Sequence, residues 1–172
     1  KTKVGYHSST APATRERISA LVDVVCMSYK VKNEDRSKCM QEMLSNPKIS
    51  SEKDSGRLRE LLLDLAMKRA KEARISRENM AKRNNKYPAA IKQCAKFVND
   101  TIDQLSGALQ LIKEDNPEYD LTGISMNVSI AGDQLDYCEI GLANDDIVDH
   151  NVTSIIHHVR MFQRMVAIAF DL

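Results

Sequence analysis

The chain has 172 residues, enough for one domain with a substantial core, and its charged (28%) and apolar (42%) fractions exclude wholesale disorder. A net charge of +1 argues against a general nucleic-acid-binding protein, which would carry a large basic excess. No apolar run approaches the roughly 18–20 residues that cross a bilayer, so we expect no membrane partner. Few prolines, glycines and aromatic residues favour helices over strands.

The first residues show neither a hydrophobic leader nor helical periodicity. We expect that any signal peptide has been removed, and that residues 1–14 form a flexible tail ahead of a single helical domain over 15–172. The domain begins with a predicted helical hairpin over 15–47. The apolar stripe of its first helix comprises Ile18, Val22, Val25 and Tyr29. Its second helix is expected to be capped by Asp35, to carry Cys39 and to end at Ser45-Asn46-Pro47.

Residues 56–172 contain four longer helical segments separated by short polar turns. The second begins at Pro88, which suits a first helical turn because its missing N–H costs nothing there. Three successive segments repeat apolar residues at alternating steps of four and three: Ile91, Ala95, Val98, Ile102, Leu105, Leu109 and Ile112; Leu121, Ile124, Val128, Ala131, Leu135, Cys138 and Leu142; Val152, Ile155, Val159, Phe162, Val166 and Ala169. The sequence therefore predicts an all-α protein, an antiparallel four-helix up-and-down bundle preceded by the hairpin.

The four cysteines show no short metal-ligand spacing, so we expect no structural zinc site. Cys26 and Cys39 lie on the two arms of the hairpin. Cys94 and Cys138 lie at comparable heights on adjacent antiparallel helices. These positions favour two disulfides, Cys26–Cys39 and Cys94–Cys138; the alternative is four reduced thiols in a cytosolic bundle.

Three N-x-S/T sequons, at Asn99, Asn127 and Asn151, are consistent with secretion. Asn151 is the favoured acceptor because we place it in the turn that precedes the last helix.

Charge is unevenly distributed along the chain. Basic residues dominate 68–86, whereas the interval between Lys113 and Arg160 contains acidic residues and no Lys or Arg. Two interpretations stay open. Neighbouring helices neutralise each other, or the acidic region is a docking face for a basic partner.

Several segments resemble the plant invertase inhibitor and pectin methylesterase inhibitor family. They are Cys39–Pro47, Ala131–Cys138 and the closing segment Arg160–Leu172, within a similarity that runs from about Ile18 to Leu172. The enlarged hairpin tip around Val31–Asp35 departs from the family pattern. The resemblance implies a secreted inhibitor, not an enzyme, that occludes pectin methylesterase or acid invertase in a 1:1 complex in the apoplast or cell wall, with the vacuole as an alternative location.

The resemblance also implies where the target binds. Invertase inhibitors of the family use a Pro-Lys-Phe motif between the second and third long helices, and the corresponding residues here are Pro117, Glu118 and Tyr119. Glu118 would be repelled by the carboxylates of a glycosidase site, which weakens the expectation of invertase inhibition. Pectin methylesterase inhibitors instead use the faces of these two helices. The corresponding acidic residues on the third helix are Asp133, Asp136 and Glu139.

No Gly-rich phosphate loop, nucleophile elbow or cofactor motif is present, so we expect no cofactor. The adjacent His157 and His158 point about 100° apart on a helix, cannot share a metal as an i, i+4 pair would, and are interpreted as surface residues. A non-inhibitory member of the family, acting as a secreted signalling or interaction protein, is the alternative function.

Overall fold

The computed structural model describes residues 19–83, 88–114, 121–146 and 150–172 of the chain. All regular structure in these ranges is helical, which confirms the predicted fold class. A single 3₁₀ turn covers Asn33–Asp35. The α-helices are α1 (Ala20–Cys26), α2 (Arg36–Leu44), α3 (Pro47–Ser50), α4 (Ser55–Arg83), α5 (Pro88–Lys113), α6 (Leu121–Asn144) and α7 (His150–Phe170). The predicted tail, residues 1–14, lies outside the described residues.

Helices α4 to α7 form an antiparallel four-helix bundle. Helix α5 packs against α4 and α6, and α7 packs against the same two helices, so α4 and α6 occupy diagonal corners. Helices α1 and α2 form the hairpin, and both contact α7. In the described part of the chain, no helix combines the length and apolar character needed to span a membrane.

Two disulfides join the elements as the cysteine positions predicted. Cys26–Cys39 links α1 to α2, with 5.6 Å between the Cα atoms. Cys94–Cys138 links α5 to α6, with 4.7 Å between the Cα atoms. The first closes a loop inside the hairpin, and the second connects two long helices of the bundle.

Proline and small polar residues determine where several helices begin. Helix α5 starts at Pro88 as predicted. Ser19 caps α1, because its Oγ accepts a hydrogen bond from the Leu21 N–H at 3.2 Å. Asn46 caps α3 in the same way, with the Lys48 N–H 3.1 Å from its Oδ1. The segment Ser45-Asn46-Pro47 therefore ends α2 and also starts a short helix that the sequence analysis did not predict.

Buried apolar side chains form two clusters along the bundle. The hairpin-end core includes residues of the hairpin and of the adjacent half of the bundle: Val22, Val25, Cys26, Val31, Cys39, Met43, Ile49, Leu58, Leu62, Leu63, Ala66, Leu105, Ala108, Leu109, Ile124, Val128, Ala131, Met161, Phe162, Met165, Val166, Ile168 and Ala169. The far-end core belongs to the bundle alone: Ala70, Ala73, Ala90, Cys94, Val98, Ile102, Leu135, Cys138, Leu142, Val152, Ile156 and Val159. The predicted stripes supply most of the far-end core and somewhat less than half of the hairpin-end core.

Three predictions about local structure are wrong. Tyr29 is 88% exposed because α1 ends at Cys26, before the stripe reaches it. Leu121 is 41% exposed, at the first residue of α6. Asp35 sits at the N-cap position of α2, but its side chain makes no capping hydrogen bond there.

Candidate target-binding surface

The predicted binding residues lie in two places. Pro117, Glu118 and Tyr119 lie outside the described residues, so their role stays a prediction. Asp133, Asp136 and Glu139 lie on α6, where Asp133 and Glu139 are exposed and Asp136 is partly exposed. The acidic helix therefore presents at least two carboxylates to solvent.

Asp136 is held by a basic residue of the neighbouring helix. Nη2 of Arg160, on α7, donates a hydrogen bond to Asp136 Oδ2 at 3.1 Å. Burial lowers the pKa of Arg160 from its ordinary value, and the charge of Asp136 opposes that shift. Arg160 of the neighbouring helix therefore neutralises Asp136. The interpretation of the acidic region as a docking face stays open for Asp133 and Glu139, which are exposed.

A glycine on α6 makes room for Arg160. A Cβ atom at Gly132 would lie 2.0 Å from Arg160 Nη1 and 2.8 Å from Gln163 Nε2. Arg160 Nη1 donates to Gln163 Oε1 at 2.8 Å, and Gln163 Nε2 donates to the Val128 carbonyl oxygen at 3.0 Å. These contacts fix the guanidinium where it can reach Asp136. The sequence does not identify Arg160 as the partner of Asp136, because the two residues lie on different helices.

The solvent side of α6 also carries exposed apolar side chains. Met126, Tyr137 and Ile140 are 59%, 53% and 54% exposed. With Asp133 they follow spacings of seven, four and three residues, so the four side chains lie on one side of the helix. We call Met126, Asp133, Tyr137 and Ile140 the outer stripe. The helical spacing of these four residues is visible in the sequence, but only the core stripe of the same helix was predicted from it.

The outer stripe borders helix α5. The Tyr137 ring packs against Phe97 of α5, with 5.7 Å between the ring centroids and 41° between the planes. Helix α6 itself contains no Lys or Arg. Exposed apolar groups beside an exposed carboxylate are the composition expected of a protein-binding patch.

The sequons differ in their accessibility. Asn99 is exposed on α5, and the Thr101 hydroxyl of the same sequon is buried within hydrogen-bond distance of the Ala131 carbonyl oxygen, at 3.3 Å. Asn127 is half-buried. Asn151 follows the first residue of α7 and so lies in a helix, not in the predicted turn; its side chain lies outside the described part.

Both histidines of the pair on α7 are half-buried, so they reach the surface as interpreted but also pack against neighbouring residues. His158 packs edge-on against Phe162, with 5.0 Å between the ring centroids. The His157 Nε2 atom lies 3.1 Å from Asp35 Oδ1, across the junction of hairpin and bundle. Asp35 therefore contacts α7 with the carboxylate that was expected to cap α2.

Comparison with known proteins shows which family and which solved structures this chain resembles. A family model described as plant invertase/pectin methylesterase inhibitor matches residues 20–172. A search of curated proteins gives no significant match. Among solved structures, mutant form A of a pectin methylesterase inhibitor from Arabidopsis has a TM-score of 0.69 at 17% identity, over 88% of this chain and 95% of that chain. A pectin methylesterase inhibitor from Arabidopsis thaliana has a TM-score of 0.61 at 19% identity, over 80% of this chain and 87% of that chain.

At these identities the two structures show a shared fold and no more. The family model is the stronger finding, since it covers nearly all of the described residues and includes the segments Cys39–Pro47 and Ala131–Cys138. Together with the two disulfides and the helical bundle, it confirms the resemblance seen in the sequence. The chain belongs to the plant invertase/pectin methylesterase inhibitor family.

Proposed function

We propose that this chain is a secreted inhibitor that covers the active site of a plant cell-wall carbohydrate-active enzyme, pectin methylesterase or acid invertase, in a 1:1 complex. The observation that carries the proposal is the outer stripe. Its three apolar side chains are more than half exposed, and Asp133 beside them is exposed as well. Burying such side chains against a partner would supply a hydrophobic contact with a charged group at its edge.

Charge favours a basic partner for this surface. No Lys or Arg lies on α6, while Asp133 and Glu139 point to solvent. A positively charged enzyme surface would be attracted by these carboxylates, which accelerates association and orients the encounter. Asp136 contributes less because Arg160 already pairs with it.

The sequence of the segment before α6 bears on the choice of target. Glu118 takes the place of the lysine with which invertase inhibitors of the family enter the enzyme. A carboxylate brought close to the catalytic carboxylates of a glycosidase would be repelled, so we place pectin methylesterase ahead of acid invertase.

Secretion to the apoplast or cell wall fits the chemistry of the chain, with the vacuole as the alternative location. Disulfides persist in oxidising compartments, and both pairs of cysteines are bridged. Asn99 becomes the preferred glycan acceptor because it is exposed on α5, and Asn127 is less favoured because it is half-buried; Asn151 lies in α7 and has lost the turn position that favoured it.

The test is a titration of purified plant pectin methylesterase and acid invertase, side by side near pH 5–6, with the disulfide-bonded protein. We expect stoichiometric loss of pectin methylesterase activity. Asp133→Lys should raise the inhibition constant about tenfold or more, because it reverses the charge within the outer stripe. The matched control is Asp64→Lys, since Asp64 is exposed on α4 at the diagonal corner of the bundle.

The titration also separates the alternatives. Loss of invertase activity alone would reassign the target, and Glu118→Lys would then be expected to strengthen that inhibition. If Asp133→Lys and Asp64→Lys change the inhibition constant equally, the outer stripe is not part of the interface. If neither enzyme is inhibited, the inhibitor proposal fails and the non-inhibitory interaction protein becomes the better description.

A further inference from the structure

Three metal-ligating side chains meet where the hairpin contacts α7. Glu34 and Asp35 belong to the 3₁₀ turn Asn33–Asp35, and His157 lies 122 residues beyond Asp35 on α7. One ligand atom from each lies within 4.8 Å of the other two. His157 Nε2 is 3.1 Å from Asp35 Oδ1 and 3.7 Å from Glu34 Oε1. The ligand atoms of a tetrahedral zinc ion lie about 3.3 Å apart, so the Asp35–His157 separation already fits, and the exposed Glu34 side chain would have to move closer on binding.

A second observation concerns the environment of Asp35. The residue is only 3% exposed, and its Oδ2 atom is buried without a hydrogen-bond partner among the described residues. A carboxylate that is buried with one oxygen unsatisfied is costly, and His157 satisfies only the other oxygen. A cation bound by both oxygens of this carboxylate would remove that cost.

We propose that Glu34, Asp35 and His157 bind a divalent transition-metal ion, with Zn²⁺ as the occupant. One imidazole nitrogen with two carboxylate oxygens is a ligand set for zinc and its neighbours in the series, whereas Ca²⁺ and Mg²⁺ prefer oxygen ligands throughout. The Glu34 side chain is 70% exposed, so an ion can enter from solvent. Three protein ligands leave a fourth coordination position for water.

Such an ion would connect the hairpin to the bundle. Two ligands come from the turn that begins α2 and the third comes from the middle of α7, so binding requires the hairpin to be docked. By linkage, an ion that binds only the docked form stabilises it in proportion to occupancy. The site is independent of the outer stripe, which lies on the solvent side of α6, and the inference does not rest on the proposed inhibitory function.

The experiment uses the untagged protein after treatment with EDTA, titrated with ZnCl₂ by calorimetry and followed by thermal unfolding. We expect saturable binding and a rise in Tm of about 3–6 °C at a zinc concentration about ten times the Kd. CaCl₂ should give no comparable rise. Glu34→Gln removes an exposed ligand, and His157→Gln removes the imidazole while keeping a donor for Asp35; each should weaken binding about tenfold or more.

The matched control is His158→Gln. His158 is the next residue on α7 and lies 3.7 Å from Glu42 Oε1, so it also pairs with a carboxylate but does not belong to the cluster of three. Its zinc affinity should stay at the wild-type value. The proposal is overturned if the wild-type protein shows no saturable zinc binding, or if binding is unchanged in both Glu34→Gln and His157→Gln. Equal weakening by His158→Gln would also overturn it.

Discussion

The two ends of the bundle are stabilised in different ways. At the hairpin end, Phe162, Met43 and several leucines pack with side chains from both the hairpin and the bundle. Among the described residues of the far end, several of the buried side chains are small, such as Ala70 and Ala73 of α4. The Cys94–Cys138 disulfide lies in this far-end core. Each core therefore contains one disulfide, but the far-end disulfide joins two long helices of the bundle, whereas the Cys26–Cys39 disulfide closes a loop within the hairpin.

The largest expected effect comes from removing the far-end disulfide. Cys94→Ala with Cys138→Ala opens a loop of 44 residues and should lower the free energy of unfolding by about 4 kcal/mol in the chain-entropy model. Cys26→Ala with Cys39→Ala opens a loop of 13 residues and should cost about 3 kcal/mol. Chemical denaturation of both variants beside the wild type measures the difference. A larger loss in the hairpin variant would contradict the comparison.

A matched pair of core substitutions sharpens the comparison. Ile124 in the hairpin-end core is 1% exposed and Ile156 in the far-end core is 0% exposed. Shortening either one to Val should cost about 0.5–1.5 kcal/mol, with Ile124→Val nearer the upper value. We expect this order because Ile124 packs in the core that hairpin and bundle share, whereas Ile156 borders an open surface pocket of about 280 Å³. Equal costs in urea denaturation would show that the two cores are packed alike.

The smallest expected effect is a dependence of stability on pH through His158, beside the hairpin-end core. Burial lowers the pKa of this imidazole; the charge of Glu42 opposes the shift, while Arg69 and Lys38 reinforce it. The folded state therefore takes up a proton less readily than the unfolded chain. Stability from this group is fully present above about pH 6.5 and declines as pH falls toward the lowered value.

His158→Gln removes that titration, so its Tm should fall less than the wild-type Tm between pH 7.5 and 4.5, values that span the ordinary pKa of about 6.5. Thermal unfolding at several pH values compares the two proteins, and carboxylates common to both contribute equally to each curve. Parallel curves would show that His158 does not contribute to the pH dependence.

The helices and their buried faces could be predicted because helical periodicity is a local property of the sequence. Val98, Leu135 and Phe162 are buried as their spacing indicated. The wrong predictions of burial lie at helix ends, because the apolar spacing can continue past the last backbone hydrogen bond of the helix. Tyr29, for example, follows the stripe of α1 but lies past its last turn. Pairing of the cysteines was predictable because short turns make successive helices antiparallel neighbours.

Side-chain contacts between distant segments could not be predicted in the same way. The Asp35–His157 and Asp136–Arg160 contacts depend on the rotation and height of separately packed helices, which no spacing within one helix encodes. Asp35 was predicted as a helix cap and Asp136 as part of an acidic helix, so neither prediction identified the partner on α7. The outer stripe of α6 could have been found, since its members recur at helical spacing.

Gly132 has a consequence for how the charge of this surface can change. Replacing it with Ala would put a methyl group where the Arg160 guanidinium now lies, so the guanidinium would have to shift, and we expect the shift to weaken its contact with Asp136. The net charge of the chain would stay the same, yet another carboxylate of α6 would become available to a partner. In this protein a neutral residue governs how much negative charge the surface displays, and evolution could alter its charge pattern without exchanging a single ionisable side chain.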